Sequence, residues 1–486
     1  MKSDRFDIAI IGAGSAGLIG ADFAARIGAK VALIEGDRIG GDCTWTGCVP
    51  SKALLRAARI ATDARRAPAF GIEIREPRSD MRRVRQRLRD TIGEIYAHTT
   101  PQTLRAAGID VFVGPARFLD SRTIVVDDRR IVARRIVICT GARANIPDVQ
   151  GLRDVPFLTY DRLFDLEQLP SRLTVLGAGP LGVEMAQAFR RLGADVTLIG
   201  PQLLAREEPE TQTLMRHVLE AEGVRIVLAR GIGARSTPAG LEVSTTDGAV
   251  LGDQLLVAAG RAPRVEGLEL ERAGVRYSER GIAVDSYLRT NVRHIFACGD
   301  VIGGAQFSHL AGWQCFRAVR NALLPGRSAA EATVMPAVTF TDPEVARVGL
   351  VEKDAREVRG DAVRVHQVPI TKADRAVCDG EPHGFVKLIT DRRGKIVGAT
   401  IVATRAGEMI AEVALAMEHG LGIDAIAGTI HAYPTWSSAL QFAAVDVMME
   451  RLWESRLFRL ALRSSGLGRR TPHDALRHSP HGDHGD

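Results

Sequence analysis

The stretch FDIAIIGAGSAGLIGADFAARIGAKVALIEGD, residues 6–37, predicts the first structural unit of this 486-residue chain. An apolar run leads into Gly12, Gly14 and Gly17, and a helical pattern follows. In such a strand–turn–helix the first glycine permits a tight turn, the second lets a pyrophosphate approach, and the third lets helix and strand pack closely. A second apolar run ends at Glu35, whose carboxylate can accept hydrogen bonds from a ribose diol. We therefore predict a dinucleotide-binding site in preference to a tight turn without a ligand.

The same pattern recurs in SRLTVLGAGPLGVEMAQAFRRLGADVTLIGP, residues 171–201. Its glycines are Gly177, Gly179 and Gly182. Because the two copies are far apart in the chain, each is predicted to nucleate its own dinucleotide domain. Two such sites suggest two cofactors that exchange electrons, a mobile nicotinamide and a bound flavin.

The end of the second copy bears on which nicotinamide binds there. Its last strand runs into Gly200 instead of an acidic residue, which removes the usual acceptor for a 2′-hydroxyl and leaves room for a 2′-phosphate. Arg206 follows and could neutralise that phosphate. The pattern favours NADPH, with NADH possible, and the alternative for Arg206 is an ordinary surface arginine.

The composition is typical of a soluble globular protein of two to four domains. The hydrophobic content is 45% and the charged content 25%, and no run of eighteen apolar residues is present. The net charge is +6, but the arginines are scattered and aromatic residues are few, which argues against a nucleic-acid partner. The chain enters a strand pattern within a few residues of its start, so we expect a cytoplasmic protein without a membrane partner.

Two of the six cysteines have a setting that indicates chemistry. Cys43 and Cys48 lie in GGDCTWTGCVPSK, residues 40–52, soon after the first dinucleotide motif. Half of a zinc site would need two further ligands at matching spacing, and a structural disulfide is disfavoured in a reducing compartment. A redox-active dithiol fits best, because a thiolate near a helix start and a lysine has a lowered pKa. The other cysteines are interpreted as buried or without signal: Cys139, Cys298, Cys315 and Cys378.

The segment GGDCTWTGCVPSK resembles the active-site segment of the pyridine nucleotide–disulfide oxidoreductases, flavoenzymes that include dihydrolipoamide dehydrogenase, glutathione reductase and mercuric reductase. The resemblance covers roughly residues 5–450. Further segments that resemble the family are VFVGPARF (111–118), VICTGARANIP (137–147), LLVAAGRAPRVEGL (255–268), TNVRHIFACGDVIGG (290–304) and PAVTFTDPEVARVGL (336–350).

The resemblance implies an α/β fold with two Rossmann-like dinucleotide-binding domains, a C-terminal α+β dimerisation domain, and a homodimer. The implied boundaries are 1–148 and 271–335 for the FAD-binding domain, 149–270 for the NAD(P)-binding domain, 336–455 for the dimerisation domain, and 456–486 for a disordered His/Arg-rich tail. The tail contains His473, His478, His481 and His484. Imidazoles at this density could hold a borderline metal, but a solvated tail is the favoured interpretation and no metal site is predicted.

The resemblance also implies roles for individual residues. Cys48 would be the sulfur nearest the flavin and Cys43 the interchange thiol that meets the acceptor. Lys52 would lie near flavin N5 and pair with Glu184, so that a cation stabilises the electron-rich reduced ring. Further positions implied to bind cofactor are Ala116, Thr140, Gly141, Gly260 and Asp300, the last on the ribityl chain.

The chain departs from the family near TIHAYPTWSSALQF, residues 429–442. Disulfide reductases of the family usually have a His-Pro there with a Glu five residues after the His, and Tyr433 and Ser438 replace these two groups. A phenol is a poor base at neutral pH. His431 is either a substitute base or a packed histidine. Asp42 is a second departure, because the family usually has Thr at that position.

These features predict an enzyme that passes electrons from NADPH through FAD to the Cys43–Cys48 disulfide and on to a small acceptor. Mercuric reductases also lack the histidine, which favours a soft metal ion or a small disulfide, although their C-terminal cysteine pair is missing here. The alternatives are a dihydrolipoamide dehydrogenase-type enzyme and a diaphorase or transhydrogenase with auxiliary cysteines. A non-catalytic flavoprotein subunit is the remaining class.

Overall fold

A computed structural model describes residues 3–465 of the chain. It contains two compact units, the first formed by Met1–Arg206 with Met215–Ala332 and the second by Glu207–Leu214 with Thr333–Asp486. The four histidines of the tail lie outside the described residues. None of the described helices is long and apolar enough to cross a membrane.

The helices and strands of the first unit follow the order expected of two dinucleotide folds. Its first part contains β1 Ser3–Ile11, α1 Ser15–Arg26, β2 Val31–Glu35, α2 Gly41–Trp45, α3 Cys48–Arg66, α4 Met81–Tyr96, α5 Pro101–Ala106, β3 Ile109–Val113, β4 Ala116–Phe118, β5 Thr123–Val126, β6 Arg129–Ile138 and β7 Ala142–Ala144. The middle part contains α6 Tyr160–Leu163, β8 Arg172–Leu176, α7 Pro180–Leu192, β9 Asp195–Ile199, α8 Pro209–Ala221, β10 Arg225–Val227, β11 Gly231–Thr237, β12 Gly240–Thr245, β13 Gly248–Gly252, β14 Gln254–Val257 and β15 Arg261–Pro263. The beginning of α8, as far as Leu214, belongs to the second unit. The last part contains α9 Leu270–Ala273, β16 Tyr277–Ser278, β17 Gly281–Ile282, β18 Ile295–Ala297 and α10 Ser308–Leu323.

A larger mixed sheet and a smaller parallel sheet carry the two glycine motifs of the first unit. The larger sheet has the order β3-β2-β1-β6-β5-β4, with β18 also paired to β6, and the smaller has the order β10-β9-β8-β14. Part of the larger sheet is parallel: β1 pairs in parallel with β2 and β6, β2 with β3, and β6 with β18. Strand β2 is buried along nearly its whole length, as expected for a sheet covered on both faces. The carboxyl ends of β1 and β8 therefore present the two glycine motifs.

The chain crosses between the two sheets twice, and the crossings pair with each other. Strands β7 and β15 are antiparallel, with Ala144 opposite Arg261 and Ala142 opposite Pro263. In the chain, β7 follows β6 of the larger sheet and β15 follows β14 of the smaller sheet. Arg261 is thereby held at the join between the two dinucleotide folds.

The second unit is an antiparallel sheet covered by helices. Its elements are β19 Ala337–Thr339, β20 Glu344–Gly349, α11 Glu352–Arg359, β21 Val363–Pro369, α12 Asp374–Cys378, β22 Phe385–Asp391, β23 Ile396–Ala403, α13 Ala406–Glu418, α14 Ile423–Gly428, α15 Ser438–Glu454 and α16 Arg456–Ser464. The sheet order is β19-β20-β23-β22-β21. Helix α13 directly follows β23, the central strand of this sheet.

The first part of the expected tail is helical. Helix α16 begins where Ser455 accepts a hydrogen bond from the backbone N–H of Phe458, and the ring of Phe458 contacts Trp453 edge-on. A capping hydroxyl and an apolar contact with the preceding helix stabilise this segment, where the sequence lacked a clear core pattern. Disorder was expected from residue 456, and the structure differs from that expectation as far as Ser464.

Candidate active site

The first glycine motif forms a cradle with room for a pyrophosphate. Gly12 has φ +106°, and a Cβ on Gly17 would lie 1.8 Å from the carbonyl oxygen of Gly12. Gly14 precedes α1 and has no side chain with which to cap it. The first N–H groups of α1 and the positive end of the helix dipole are therefore available to an anion. This cradle fits the pyrophosphate of a dinucleotide.

Glu35 lies at the end of β2, beside the same turn. Its Oε2 accepts a hydrogen bond of 2.7 Å from the backbone N–H of Ala13, and its Oε1 one of 2.9 Å from that of Asp37. These bonds fix the carboxylate, and each of its oxygens retains acceptor capacity. Glu35 is therefore placed to accept hydrogen bonds from a ribose diol next to the cradle.

The segment with the two cysteines packs directly on the glycine cradle. A Cβ on Gly41 would lie 2.8 Å from the Cα of Gly14, so the two backbones are in contact. Cys43 lies in the short helix α2, and Cys48 is the first residue of α3. Both side chains are partly buried. The pair is thus held beside the site for the first dinucleotide.

The surroundings of the two thiols shift their pKa values in opposite directions. The pKa of Cys43 is lowered to about 6, chiefly by a hydrogen bond from the Cys48 thiol and further by hydrogen bonds from Ser15 and Ser308. The pKa of Cys48 is raised, because its proton is held by Cys43 and because it is buried. In the chain alone, the thiolate therefore lies on Cys43 at neutral pH. The lowered pKa is what a nucleophilic thiol needs.

Ser308 is a site residue that the sequence analysis did not identify. Its Oγ lies 3.1 Å from the Sγ of Cys48, although the two residues are 260 positions apart. Ser308 begins α10, in the segment FSHLAGWQ. Its one sequence signal is a hydroxyl at a helix start, which is common, so only the fold reveals the contact.

Lys52 and Glu184 are brought together by the packing of α3 on α7. The Nζ of Lys52 lies 2.9 Å from Oε2 of Glu184. The side chain of Glu184 is 6% exposed and that of Lys52 is 38% exposed. Burial of the carboxylate fixes one end of the pair, and the ammonium extends from it. A cation in this position can stabilise negative charge that develops on a neighbouring ring.

Asp42 forms a polar network with three residues from other parts of the first unit. Its Oδ2 accepts hydrogen bonds of 2.6 Å from Arg261 and 2.8 Å from the hydroxyl of Tyr160. The guanidinium of Arg261 also lies 3.4 Å from Oδ2 of Asp300. Burial raises the pKa of Asp300, and Arg261 opposes that rise. A cation thus offsets the carboxylate that Asp42 adds near the pyrophosphate cradle.

The second glycine motif repeats the first. Gly177 has φ +123°, and a Cβ on Gly182 would lie 1.8 Å from the carbonyl oxygen of Gly177. A Cβ on Gly200 would lie 2.6 Å from the Cβ of Ala178, so an acidic residue at Gly200 would force a shift of the turn. The backbone N–H of Leu204 bonds to the oxygen of Ala178 and folds the following loop back over the turn. Arg206 is exposed at the end of that loop.

The other residues implied to bind cofactor lie at the edges of the same sheets. Thr140 follows β6, and its hydroxyl donates a hydrogen bond of 2.7 Å to the oxygen of Arg264. Gly141 and Gly260 have φ +74° and +99°, on the two crossing segments. Ala116 begins β4, at the edge of the larger sheet. Three of these four residues therefore lie at the crossing segments and one lies at the sheet edge, and they do not form a cluster of reactive side chains.

His431 and Tyr433 lie in the second unit and have separate partners. The ring nitrogens of His431 contact the oxygen of Thr429 at 2.9 Å and a carboxylate oxygen of Glu412 at 3.0 Å. The hydroxyl of Tyr433 donates to Asp374, and this bond raises the pKa of Tyr433. Within residues 3–465, no group of three or more His, Cys, Asp or Glu side chains could hold a metal ion.

The fold and the site are those of a flavin-dependent oxidoreductase with two dinucleotide-binding motifs. Residues 6–315 match the model of the pyridine nucleotide-disulphide oxidoreductases, and residues 335–444 match that of their dimerisation domain. The chain belongs to this family. The resemblance seen in the sequence and the predicted fold class are confirmed, and the dimerisation domain supports a homodimer.

The similar proteins have several names. A mercuric reductase of Bacillus cereus is 34% identical over 90% of this chain and 71% of its own length. A dihydrolipoyl dehydrogenase of Thermus scotoductus is 34% identical over 90% and 96%. Among solved structures, LpdA from Mycobacterium tuberculosis has a TM-score of 0.84 and 30% identity, covering 91% of this chain and 99% of that one. The HOCl-induced flavoprotein disulfide reductase RclA from Escherichia coli has a TM-score of 0.82 and 29% identity, covering 90% and 99%.

Proposed function

We propose that this enzyme takes electrons from NADPH and delivers them through the Cys43–Cys48 pair to a small thiophilic acceptor, either a soft metal ion or a small disulfide. The observation that carries the proposal is the cysteine pair at α2 and the start of α3, packed on the glycine cradle, and the lowered pKa of Cys43 supports it. The names of relatives add support, since one is called a mercuric reductase and a Cu(II) complex of RclA is known. A cytoplasmic location remains a prediction.

The residues of the cradle, Glu35 and Asp300 would hold FAD, and the second motif with Arg206 would hold NADPH. When bound, the flavin supplies two-electron chemistry between a nicotinamide and a disulfide. In the chain, Glu184 fixes Lys52 so that its ammonium can face developing negative charge. Ser308 holds the sulfur of Cys48 in place.

With a disulfide acceptor, the thiolate of Cys43 attacks one acceptor sulfur and displaces the other as a thiolate. Cys48 then loses its proton and attacks the Sγ of Cys43, which releases the second acceptor thiol and re-forms the Cys43–Cys48 bond. With a soft divalent metal ion, both thiols lose their protons and the two sulfurs bind the ion as thiolates. The ion takes two electrons from them and leaves as the metal atom, and the Cys43–Cys48 bond re-forms. The same pair therefore serves either acceptor.

The hydrogen bonds of His431 and Tyr433 in the second unit help to decide which acceptor is favoured. Both ring nitrogens of His431 already contact oxygen acceptors, and the hydroxyl of Tyr433 donates to a carboxylate. A proton-shuttle role for either residue would require these bonds to break. A lipoamide-type acceptor relies on such a shuttle. We therefore place dihydrolipoamide dehydrogenase-type turnover second, and it is supported by the Thermus relative.

The test compares acceptors on the purified holoenzyme. We expect NADPH-dependent turnover with Hg(II) to exceed turnover with lipoamide and oxidised glutathione, and Cys43→Ser to abolish it. Cys378→Ser is the matched control, because that thiol is exposed and lies in the second unit. Turnover with lipoamide above that with Hg(II) would support the dihydrolipoamide dehydrogenase type. Quinone reduction as the main activity, unchanged in Cys43→Ser, would indicate a diaphorase.

A further inference from the structure

Asp42 occupies an unusual position for a carboxylate, next to a cysteine of the predicted redox pair. It precedes Cys43 within α2. A negative charge beside a thiolate disfavours the thiolate, because like charges at short range disfavour ionisation. The chain nevertheless places the carboxylate there and surrounds it with specific partners.

The partners of Asp42 come from segments far away in the sequence. Arg261 reaches it from the ribbon that joins the two dinucleotide folds, and Tyr160 reaches it from the start of α6. The side chain of Asp42 is 33% exposed and that of Arg261 is 27% exposed. The guanidinium also lies over the ring of Tyr160, with its carbon 4.8 Å from the ring centroid. The charges of Asp42 and Arg261 are thus partly buried and held by specific contacts.

The cation in the network is shared between two carboxylates. Arg261 contacts Asp42 at 2.6 Å and Asp300 at 3.4 Å, so the three side chains carry one positive and two negative charges. The Nε of Arg261 is buried and has no hydrogen-bond partner among residues 3–465. With an uncharged residue in place of Asp42, the same group would be neutral. Asp42 thus adds one negative charge one residue before Cys43 in the same short helix.

This charge acts differently on the two redox states of the pair. As a disulfide, Cys43 and Cys48 are uncharged, whereas a dithiol that has lost one proton carries one negative charge. A neighbouring carboxylate therefore destabilises the reduced form relative to the oxidised form, and a neighbouring guanidinium does the opposite. The balance between Asp42 and Arg261 consequently shifts the equilibrium between the two forms.

We propose that Asp42 and Arg261 set the reduction potential of the Cys43–Cys48 couple, with Asp42 making the dithiol a stronger reductant and Arg261 limiting that effect. The inference rests on the proposed function, since it requires the pair to cycle between disulfide and dithiol. Both act through the thiols and are tuning residues, not catalytic ones. The consequence is a pair adapted to acceptors that need a strong dithiol reductant.

The test is an equilibrium of the holoenzyme with mixtures of reduced and oxidised dithiothreitol. The Sγ–Sγ bond of the protein breaks as two electrons and one proton arrive, one molecule of dithiothreitol closes to its cyclic disulfide, and its second proton goes to the solvent. Thiols are then trapped by alkylation at low pH and the Cys43–Cys48 peptide is quantified by mass. This readout does not depend on turnover.

We expect Asp42→Asn to shift the equilibrium about tenfold toward the dithiol, which corresponds to about 30 mV for a two-electron couple. Arg261→Gln should shift it in the opposite direction. Tyr160→Phe is the matched control, because it removes a hydrogen bond to Asp42 without a change of charge, and its shift should stay below about twofold. Opposite signs for Asp42→Asn and Arg261→Gln cannot arise from a general loosening of the fold.

Three results would overturn the inference: Asp42→Asn within twofold of the wild type, both charge variants shifting in one direction, or Tyr160→Phe shifting as far as Asp42→Asn. If Asp42→Asn fails to fold, Arg261→Gln alone still tests the sign. A wild-type pair that never exchanges with dithiothreitol would contradict the proposed function as well. The two failures are therefore distinguishable.

Discussion

The Nζ of Lys52 lies 2.9 Å from Oε2 of Glu184, so the helix that begins at Cys48 is joined by an ion pair to the helix that follows the second glycine motif. The pair connects the thiol segment of one dinucleotide fold to the first turns of the other. The carboxylate of Glu184 is buried and the ammonium of Lys52 is partly exposed. Glu184 therefore serves as the fixed partner, or anchor, that positions the Lys52 cation.

Replacing the anchor should slow electron delivery more than nicotinamide binding. Glu184→Gln keeps the shape but removes the charge that positions Lys52, and we expect NADPH-driven reduction of the enzyme to slow by about tenfold, since one charge-assisted contact contributes about 1.5–3 kcal/mol. Stopped-flow absorbance measures this rate, and the KM for NADPH should change less than the rate.

A double-mutant cycle provides the control for that prediction. Once Lys52→Met is present, the additional Glu184→Gln substitution should have little further effect on the rate, because the partner is already missing. Independent and additive effects of the two substitutions would contradict the view that Glu184 acts through Lys52.

The lowered pKa of Cys43 predicts a pH profile for alkylation. A pKa of about 6 means that the thiolate predominates above that pH and is lost as the pH falls through it. In the reduced protein, the rate of iodoacetamide reaction at Cys43 should therefore rise with a midpoint near pH 6. Peptide mass spectrometry measures it, in a Cys378→Ser background that removes the exposed competing thiol.

Two variants identify the cause of that pKa. Cys48→Ala removes the main hydrogen-bond donor to Cys43 and should move the midpoint upward by more than one pH unit, since one unit corresponds to about 1.36 kcal/mol. Ser308→Ala removes a weaker contribution and should produce a smaller upward shift. A midpoint that is unaffected by Cys48→Ala would show that Cys48 does not lower the pKa of Cys43.

Much of the site was predictable because its main parts are local in the chain. The turn from Gly12 to Gly17 and the spacing of Cys43 and Cys48 are encoded within a few dozen residues, and a backbone turn or a helix start depends mainly on its own residues. The family and the fold class follow from these segments. The pairing of Lys52 with Glu184 came from the resemblance, not from the residues alone.

The contacts that the sequence did not reveal join residues that are distant in the chain. Arg261 reaches Asp42 across 219 positions, and nothing near Asp42 in the sequence indicates which cation offsets it. Likewise, the carboxylate that contacts His431 is Glu412 on α13, at a spacing that no local pattern suggests. Such pairs depend on how the sheets and helices pack, which a single sequence does not specify.

The exposed position of Arg206 near the second glycine motif predicts a preference for NADPH over NADH. If its guanidinium binds a 2′-phosphate, Arg206→Ala should raise the KM for NADPH by about tenfold and leave the KM for NADH unchanged, because a hydrogen bond to a charged group contributes about 1.5–3 kcal/mol. Steady-state kinetics with both nicotinamides measure this. Arg225→Ala is the control, since that exposed arginine begins β10, at the opposite end of the strand from the carboxyl edge where dinucleotides bind. Equal losses with both nicotinamides would contradict the assignment.

Lys387 predicts a large effect on stability in the second unit. Its side chain is 2% exposed and lies 3.2 Å from Glu208, which is also 2% exposed, and 3.0 Å from Glu210 and 2.8 Å from Glu352. Lys387→Met would leave these carboxylates without their shared cation, and breaking such a buried pair costs about 3–5 kcal/mol. Thermal unfolding should show a Tm several degrees lower. Lys353→Met, which removes an 82% exposed lysine paired with Glu357, should leave the Tm within about one degree.

The companion substitution tests whether the charge itself causes that loss. Adding Glu208→Gln to Lys387→Met removes the most buried of the unpaired carboxylates and should restore part of the Tm, whereas Glu208→Gln alone should lower it. Partial restoration occurs only if the buried negative charge is what destabilises the single variant. A double variant that is less stable than both single variants would indicate that lost packing, and not the unpaired charge, accounts for the effect.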